Sequence, residues 1–140
     1  MKDPNCIFCK ITAGQIPSLR VLENDVAFAF LDIGPLAEGH LLVVPRKHNE
    51  RLEQMDPADL AAVTRQLPRL ARAVMEVTGA AAYSVLQNNG RPAGQDVPHV
   101  HFHIIPRAPQ DGLGYRWNAS KYPPGRAEAI HGQLLAALQP

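Results

Sequence analysis

The sequence predicts an α+β domain, an antiparallel meander sheet with one long helix and a C-terminal helix. Three observations carry this prediction. Short apolar runs of strand length follow one another with turns rather than helices between them. One stretch, Asp56 to Gly79, repeats apolar residues at three- and four-residue steps, and a second such stretch runs from Arg126 to Leu138. The length of 140 residues fits a single domain, and 46% apolar against 19% charged residues argues against a disordered chain. We therefore expect one domain over residues 1–140.

Each element has a local reason. Cys6 to Ala13 can form a short helix, with Gly14 as its stop. Leu19–Leu22 and Val26–Asp32 read as two strands joined at Asn24-Asp25, and Gly34-Pro35 breaks the run. Leu41–Val44 is a continuous apolar strand ended by Pro45. Asp56 then offers an N-cap, with Pro57 at the first helical position and Asp59 near the positive end of the dipole. Leu60, Val63, Leu67, Leu70, Val74 and Val77 make one apolar face. Pro68 interrupts that face, so a kink or a split into two helices is expected there, with Gly79 as the end. Tyr83–Leu86 and Val100–Pro106 are strands, separated by a loop from Asn88 to Pro98. An irregular tail leads to the last helix, whose apolar positions are Ile130, Leu134, Leu135 and Leu138.

Composition excludes some partners. Fourteen basic and thirteen acidic residues give a net charge of +1, so no basic field points to nucleic acid. No segment approaches the ~18 apolar residues of a membrane helix, and no membrane partner is expected. Met-Lys-Asp-Pro-Asn has no apolar stretch behind it that could serve as a signal peptide, and the expected location is the cytoplasm.

The most informative window is His99-Val100-His101-Phe102-His103-Ile104-Ile105. On a strand the three histidines would share one face, with Val100, Phe102 and Ile104 turned into a core. Such a face could simply be polar and wet. It could also ligate a metal, or hold a nucleophile flanked by phosphate-binding and proton-handling groups. The loop feeding it, Asn88-Asn89-Gly90-Arg91-Pro92-Ala93-Gly94-Gln95-Asp96, offers glycine amides and side-chain amides suited to phosphate. Cys6 and Cys9 form a Cys-x-x-Cys pair, which a reducing cytosol leaves for redox chemistry or metal binding. A closed zinc site needs four ligands, and with no second cysteine pair histidines would have to complete it.

The run from His99 to Ile105 resembles the signature of the histidine triad (HIT) family of nucleotide hydrolases and transferases. Cys6-Ile7-Phe8-Cys9-Lys10-Ile11, Phe30-Leu31-Asp32-Ile33, Gly39-His40, Val44-Pro45-Arg46-Lys47-His48, Asn88-Asn89-Gly90 and Ala93-Gly94-Gln95 resemble further family blocks in the same order. The matching block spans residues 5–106, and residues 107–140 are less specific. The resemblance implies a HIT-like fold and, as the family's habit, a homodimer whose sheets join. It implies cleavage at the α-phosphate of purine nucleotide conjugates, phosphoramidates or dinucleoside polyphosphates, through a nucleotidyl-histidine on His101. His103, His40 and His99 would support it; Gly94 and Gln95 would hold phosphate, Asn88 ribose or phosphate, and Asp32 the ribose hydroxyls. Ile7, Phe8, Ile11, Phe30 and Ile33 would form the base slot. Bacterial-type members further imply structural zinc on Cys6, Cys9, His48 and His99.

Each residue also has a plainer role. Asp32 and Asn88 are natural turn residues, the slot residues could be ordinary core, and His131 is expected on the surface. Asp96 departs from the family pattern of Ser or Thr beside the phosphate, so its carboxylate would repel phosphate or point away. Tyr115, Trp117, Lys121 and Tyr122 are expected to pack rather than to touch a leaving group. Two other functions fit the same residues: a non-catalytic nucleotide sensor or scaffold, and a hydrolase with zinc on the triad itself.

Overall fold

The structure, a computed structural model, describes residues 3–114 and 118–139. Its strands are β1 (Arg20–Glu23), β2 (Ala27–Leu31), β3 (Leu41–Pro45), β4 (Ala82–Gln87) and β5 (Phe102–Arg107), and its helices α1 (Ile7–Thr12), α2 (Pro57–Thr64), α3 (Leu67–Thr78) and α4 (Arg126–Ala137). All neighbouring strands are antiparallel, in the order β1-β2-β3-β5-β4. The sheet is α+β as expected but a meander only through β3. The chain then crosses by way of α2 and α3 to the far edge as β4, and β5 returns between β3 and β4.

Alternation along the strands builds two cores. Ala27 and Ala29, Leu41 and Val43, and Phe102 and Ile104 face α2 and α3, where Val63, Leu70, Ala71 and Val74 cover them. Phe28, Phe30, Leu42 and Val44 face the other way and are covered by Cys6, Phe8, Cys9 and Ile11 around α1. The β1–β2 turn is held by Asn24, whose Oδ1 accepts from the Val26 and Ala27 amides at 2.9 and 2.7 Å.

The predicted long helix is two helices. Pro68 sits in the first turn of α3, where no intrahelical donor is needed, and the chain re-starts there instead of kinking. Asp56 caps α2 through the Ala58 amide at 2.8 Å, and Gly79 (φ 74°) ends α3. Gly39 is required by packing: at φ +95° a Cβ would lie 2.6 Å from the Thr78 methyl. Val77 was expected on the apolar face of α3 but is 85% exposed.

The tail differs from expectation. α4 has no buried residue, and Leu134, Leu135 and Leu138 of its stripe are exposed. Lys121 and Tyr122, expected to pack, are exposed, while His131 on α4 is exposed as expected. Tyr115 and Trp117 lie outside the described residues.

Burial separates two substitutions that sequence alone would treat alike. Ile104→Ala, at a fully buried position, should cost about 2–5 kcal/mol by urea denaturation. Val77→Ala should change stability by less than about 0.5 kcal/mol.

Candidate functional site

The triad does not lie on one strand. β5 begins at Phe102, so only His103 sits on the regular ladder, paired with Leu42 and Leu86. Before it the backbone turns: the His99 amide donates to the Val97 carbonyl at 2.8 Å, and the Val100 amide to Asn49 at 2.8 Å. This turn sends His99 and His101 to different environments.

His101 is buried and its Nδ1–H donates to the His99 carbonyl at 2.7 Å. That fixes the tautomer and leaves the Nε2 lone pair free. His103 is defined through His40. The Leu36 amide donates to His40 Nδ1 at 3.1 Å, so His40 carries its proton on Nε2 and donates it to His103 Nδ1 at 2.8 Å. His103 therefore keeps its proton on Nε2. The His101 and His103 rings are 4.9 Å apart. A lone pair and an N–H donor thus stand side by side.

Burial holds this array neutral. It lowers the His40 and His101 values, against the charge of Asp32 on both and of Asp96 on His101. His103 is pushed down to about 4 by burial and by the neighbouring His101 and His40, again opposed by Asp32 and Asp96. Neutral imidazole is the form a nucleophile needs.

The array opens into a cleft of about 260 Å³. Ile7, Phe8, Ile11, Phe30, Asp32 and Ile33, all expected there, line it together with His101 and His103. Phe8 is 6% exposed and packs edge-on against both His99 and His101, whereas Ile33 is 92% exposed at the rim. Asp32 holds a turn and faces the site at once: Oδ1 accepts from Gly34 at 2.8 Å while Oδ2 stands 3.7 Å from His40 Nε2. Asp96 lines the cleft rather than pointing away.

The loop residues are placed differently from expectation. Gln95 is buried, its Oε1 accepting from the Gly90 amide and its Nε2 donating to the Glu50 carbonyl, each at 2.7 Å. The Gly94 amide donates to Arg91 and the Gln95 amide to Gly90. These hydrogen bonds shape the loop. Gly94, at φ +95°, also gives room to Asn88, whose amide nitrogen would lie 3.4 Å from a Cβ there. Neither Asn88, Gly94 nor Gln95 lines the cleft.

Sequence reasoning missed Ile16, Pro17, Ser18, Leu31, Leu42 and Val97 in the cleft wall. Leu42 was within reach, since strand alternation puts it on the face of His103. Ile16–Ser18 follow the Gly14 turn with no periodicity to mark them.

His99 belongs to a second constellation. Its Nε2–H donates to the Pro45 carbonyl at 2.8 Å, which turns the Nδ1 lone pair towards Cys6, Cys9 and His48. With both nitrogens engaged there, His99 does not line the cleft that holds His101 and His103, although it was expected to act with them. His99 Nδ1 lies 3.4 Å from Cys6 Sγ, 3.6 Å from Cys9 Sγ and 3.2 Å from His48 Nδ1, and Cys9 Sγ lies 3.4 Å from His48 Nδ1. Tetrahedral zinc with Zn–S near 2.3 Å and Zn–N near 2.05 Å requires N–N edges of about 3.3 Å and N–S edges of about 3.6 Å. The four residues fit a closed metal site.

A HIT domain model matches residues 13–110, and the chain belongs to the HIT family. It is 42% identical over 98% of its length to the adenosine 5'-monophosphoramidase HNT1 of Saccharomyces cerevisiae, covering 85% of that protein. Among solved structures, a HIT family member from Bacillus subtilis superposes with a TM-score of 0.91 at 38% identity, covering 97% of this chain and 99% of the other. A zinc-bound histidine triad family protein from Mycobacterium smegmatis superposes with a TM-score of 0.73 at 34% identity, covering 95% and 97%.

The depressed His103 value has a sign that can be checked. Between about 4 and the ordinary imidazole value of about 6.5, the unfolded chain binds a proton that the folded chain refuses, so stability falls as pH drops through that window. The slope is about 1.4 kcal/mol per pH unit from this group. Nitrogen-detected NMR should show His103 still neutral at pH 5.5; a midpoint near 6.5 contradicts the burial argument.

Proposed function

We propose that this HIT-family hydrolase cleaves purine nucleotide conjugates at the α-phosphorus, releasing AMP from adenosine phosphoramidates or from phosphoanhydrides such as dinucleoside polyphosphates. The observation that carries the reading is the free Nε2 of a neutral, tautomer-fixed His101 beside the Nε2–H of His103. The name of the yeast relative supports the phosphoramidate class.

His101 Nε2 attacks the α-phosphorus. The P–N bond of a phosphoramidate breaks with its electron pair staying on the amine, which takes a proton from water. Water then attacks the phosphorus, breaking the bond to His101 and giving AMP. Both steps pass through the same crowded phosphorus, and the His103 N–H stabilises its equatorial oxygens in each. His40 positions His103 by donating to its Nδ1. Asp32 would accept from the ribose hydroxyls through Oδ2, and the base would lie against Ile7, Phe8, Ile11, Phe30 and Ile33. Asn88, Gly94 and Gln95 would act on the phosphate by holding the loop in shape, rather than by direct contact.

Zinc would be held by Cys6, Cys9, His48 and His99, and would tie α1 to the turn before β5 as a structural staple. Two copies would join sheets along the edge strand β4, where Tyr83 and Val85 are exposed. No described helix is long and apolar enough to cross a membrane, which is compatible with work in the cytoplasm on small nucleotides and without nucleic acid.

Purified protein should release AMP from an adenosine phosphoramidate, and His101→Ala should lower kcat by a thousandfold or more. Equal rates overturn the reading, and tight AMP binding without turnover of any conjugate indicates a sensor. Zinc removal by a chelator should lower the thermal midpoint yet leave the kcat of protein still folded within about threefold. Immediate loss of activity without unfolding would place the metal on the triad instead.

A further inference from the structure

The cleft has walls of one sign. Asp32 and Asp96 are the charged residues among its described lining, and neither a lysine nor an arginine stands with them. Phosphate sites commonly set cations or open backbone amides against the anion. Here the N–H of His103 is a neutral donor, so each further negative charge on a ligand adds repulsion without adding a partner.

The two carboxylates are not equivalent. Asp32 is engaged, with Oδ1 accepting from the Gly34 amide at 2.8 Å and Oδ2 standing 3.7 Å from His40 Nε2. Asp96 is exposed, and among the described residues no cation pairs with its carboxylate. Its backbone is nevertheless fixed from both sides. Gln95 before it is buried and bonded to Gly90 and Glu50, and the Val97 carbonyl after it accepts from the His99 amide at 2.8 Å. The carboxylate is therefore held at the cleft wall, where its charge acts on both His101 and His103.

Charge at the phosphorus changes along the reaction. The phosphoryl group of an AMP phosphoramidate carries a single negative charge. When His101 Nε2 bonds phosphorus while Nδ1 keeps its proton, the ring becomes positive, and a carboxylate beside it is attractive. The phosphate of product AMP carries roughly −1.5 to −2 at pH 7, and a dinucleoside polyphosphate carries a charge on every phosphate. We propose that Asp96 is a specificity-determining residue that discriminates by this charge: it admits conjugates with a singly charged α-phosphoryl group, disfavours polyphosphates and weakens the hold on product AMP. The assignment rests on the hydrolytic reading given above and chooses between its two substrate classes.

The test uses two ligands that differ in that charge, AMP and its phosphate methyl ester, with Kd measured by calorimetry at pH 7.5. The wild-type protein should bind the methyl ester about fivefold or more tightly than AMP. Asp96→Asn should close that gap by about threefold or more through tighter AMP binding, and Asp96→Glu should keep it. Raising salt from about 0.05 to 0.5 M should narrow the gap in the wild type, because the carboxylate is exposed. Comparing the gap between proteins cancels the methyl group's own contacts. In turnover, Asp96→Asn should raise kcat/KM for diadenosine tetraphosphate relative to adenosine phosphoramidate by about tenfold. An unchanged gap in Asp96→Asn, or a variant that weakens both ligands together, overturns the role of Asp96 while leaving hydrolysis intact. Failure to cleave any conjugate refutes the hydrolytic reading, and the choice of substrate with it, whatever the binding gap.

Discussion

The hydrogen bond from His101 Nδ1 to the carbonyl of His99, two residues earlier in its own chain, is the constraint on which the site depends. It exists only because the backbone turns at His99 and Val100 instead of running straight into β5. A regular strand would point that carbonyl sideways into the ladder, where a neighbouring strand would use it. Turned as it is, it orients a buried imidazole and exposes a lone pair to the cleft. The same turn hands His99 to Cys6, Cys9 and His48, so one local irregularity divides the cleft histidines from a constellation whose geometry fits a metal ion.

That irregularity is held in place from several sides. Val100 is anchored to Asn49 through its amide and to the helical core through its side chain. His99 is anchored to the carbonyl of Pro45 at the end of β3. Phe8 of α1 packs against both His99 and His101, coupling the Cys-x-x-Cys helix to the cleft histidine. A metal on the four-residue constellation would fix the same contact from the opposite end. Neutrality follows from these contacts, because the rings are withdrawn from water without a buried counter-charge in contact with His101.

The polar groups of the loop from Asn88 to Gln95 are set mainly by hydrogen bonds within and beside the loop, and Asn88, Gly94 and Gln95 do not line the cleft. Gln95 accepts from Gly90 and donates to Glu50, and Gly94 serves by lacking a side chain where Asn88 approaches. Two carboxylates, Asp32 and Asp96, face the rings instead and partly offset the effect of burial on His103. A nucleotide entering the cleft meets neutral imidazoles flanked by acidic groups, which makes the His103 N–H donor the more important to the phosphate.

The sequence by itself determined the α+β class, the strands, the helix caps and the pool of chemical residues. Alternation and turn residues are local, so Asn24, Asp56 and Gly79 could be read directly, and the cleft residues Ile7, Phe8, Ile11, Phe30 and Ile33 could be named from motif order. Tertiary structure decided what local patterns could not carry. Pro68 could kink a helix or start one, and only the packing of α2 and α3 over the sheet chose the latter. The order β3-β5-β4 rests on a long crossover, invisible to a pattern of period two or four. His99, His101 and His103 alternate in sequence as a strand does, yet contacts to Asn49 and Pro45, about fifty residues away, divide them between two sites. Side-chain direction there is set by long-range hydrogen bonds, and spacing along the chain does not encode those.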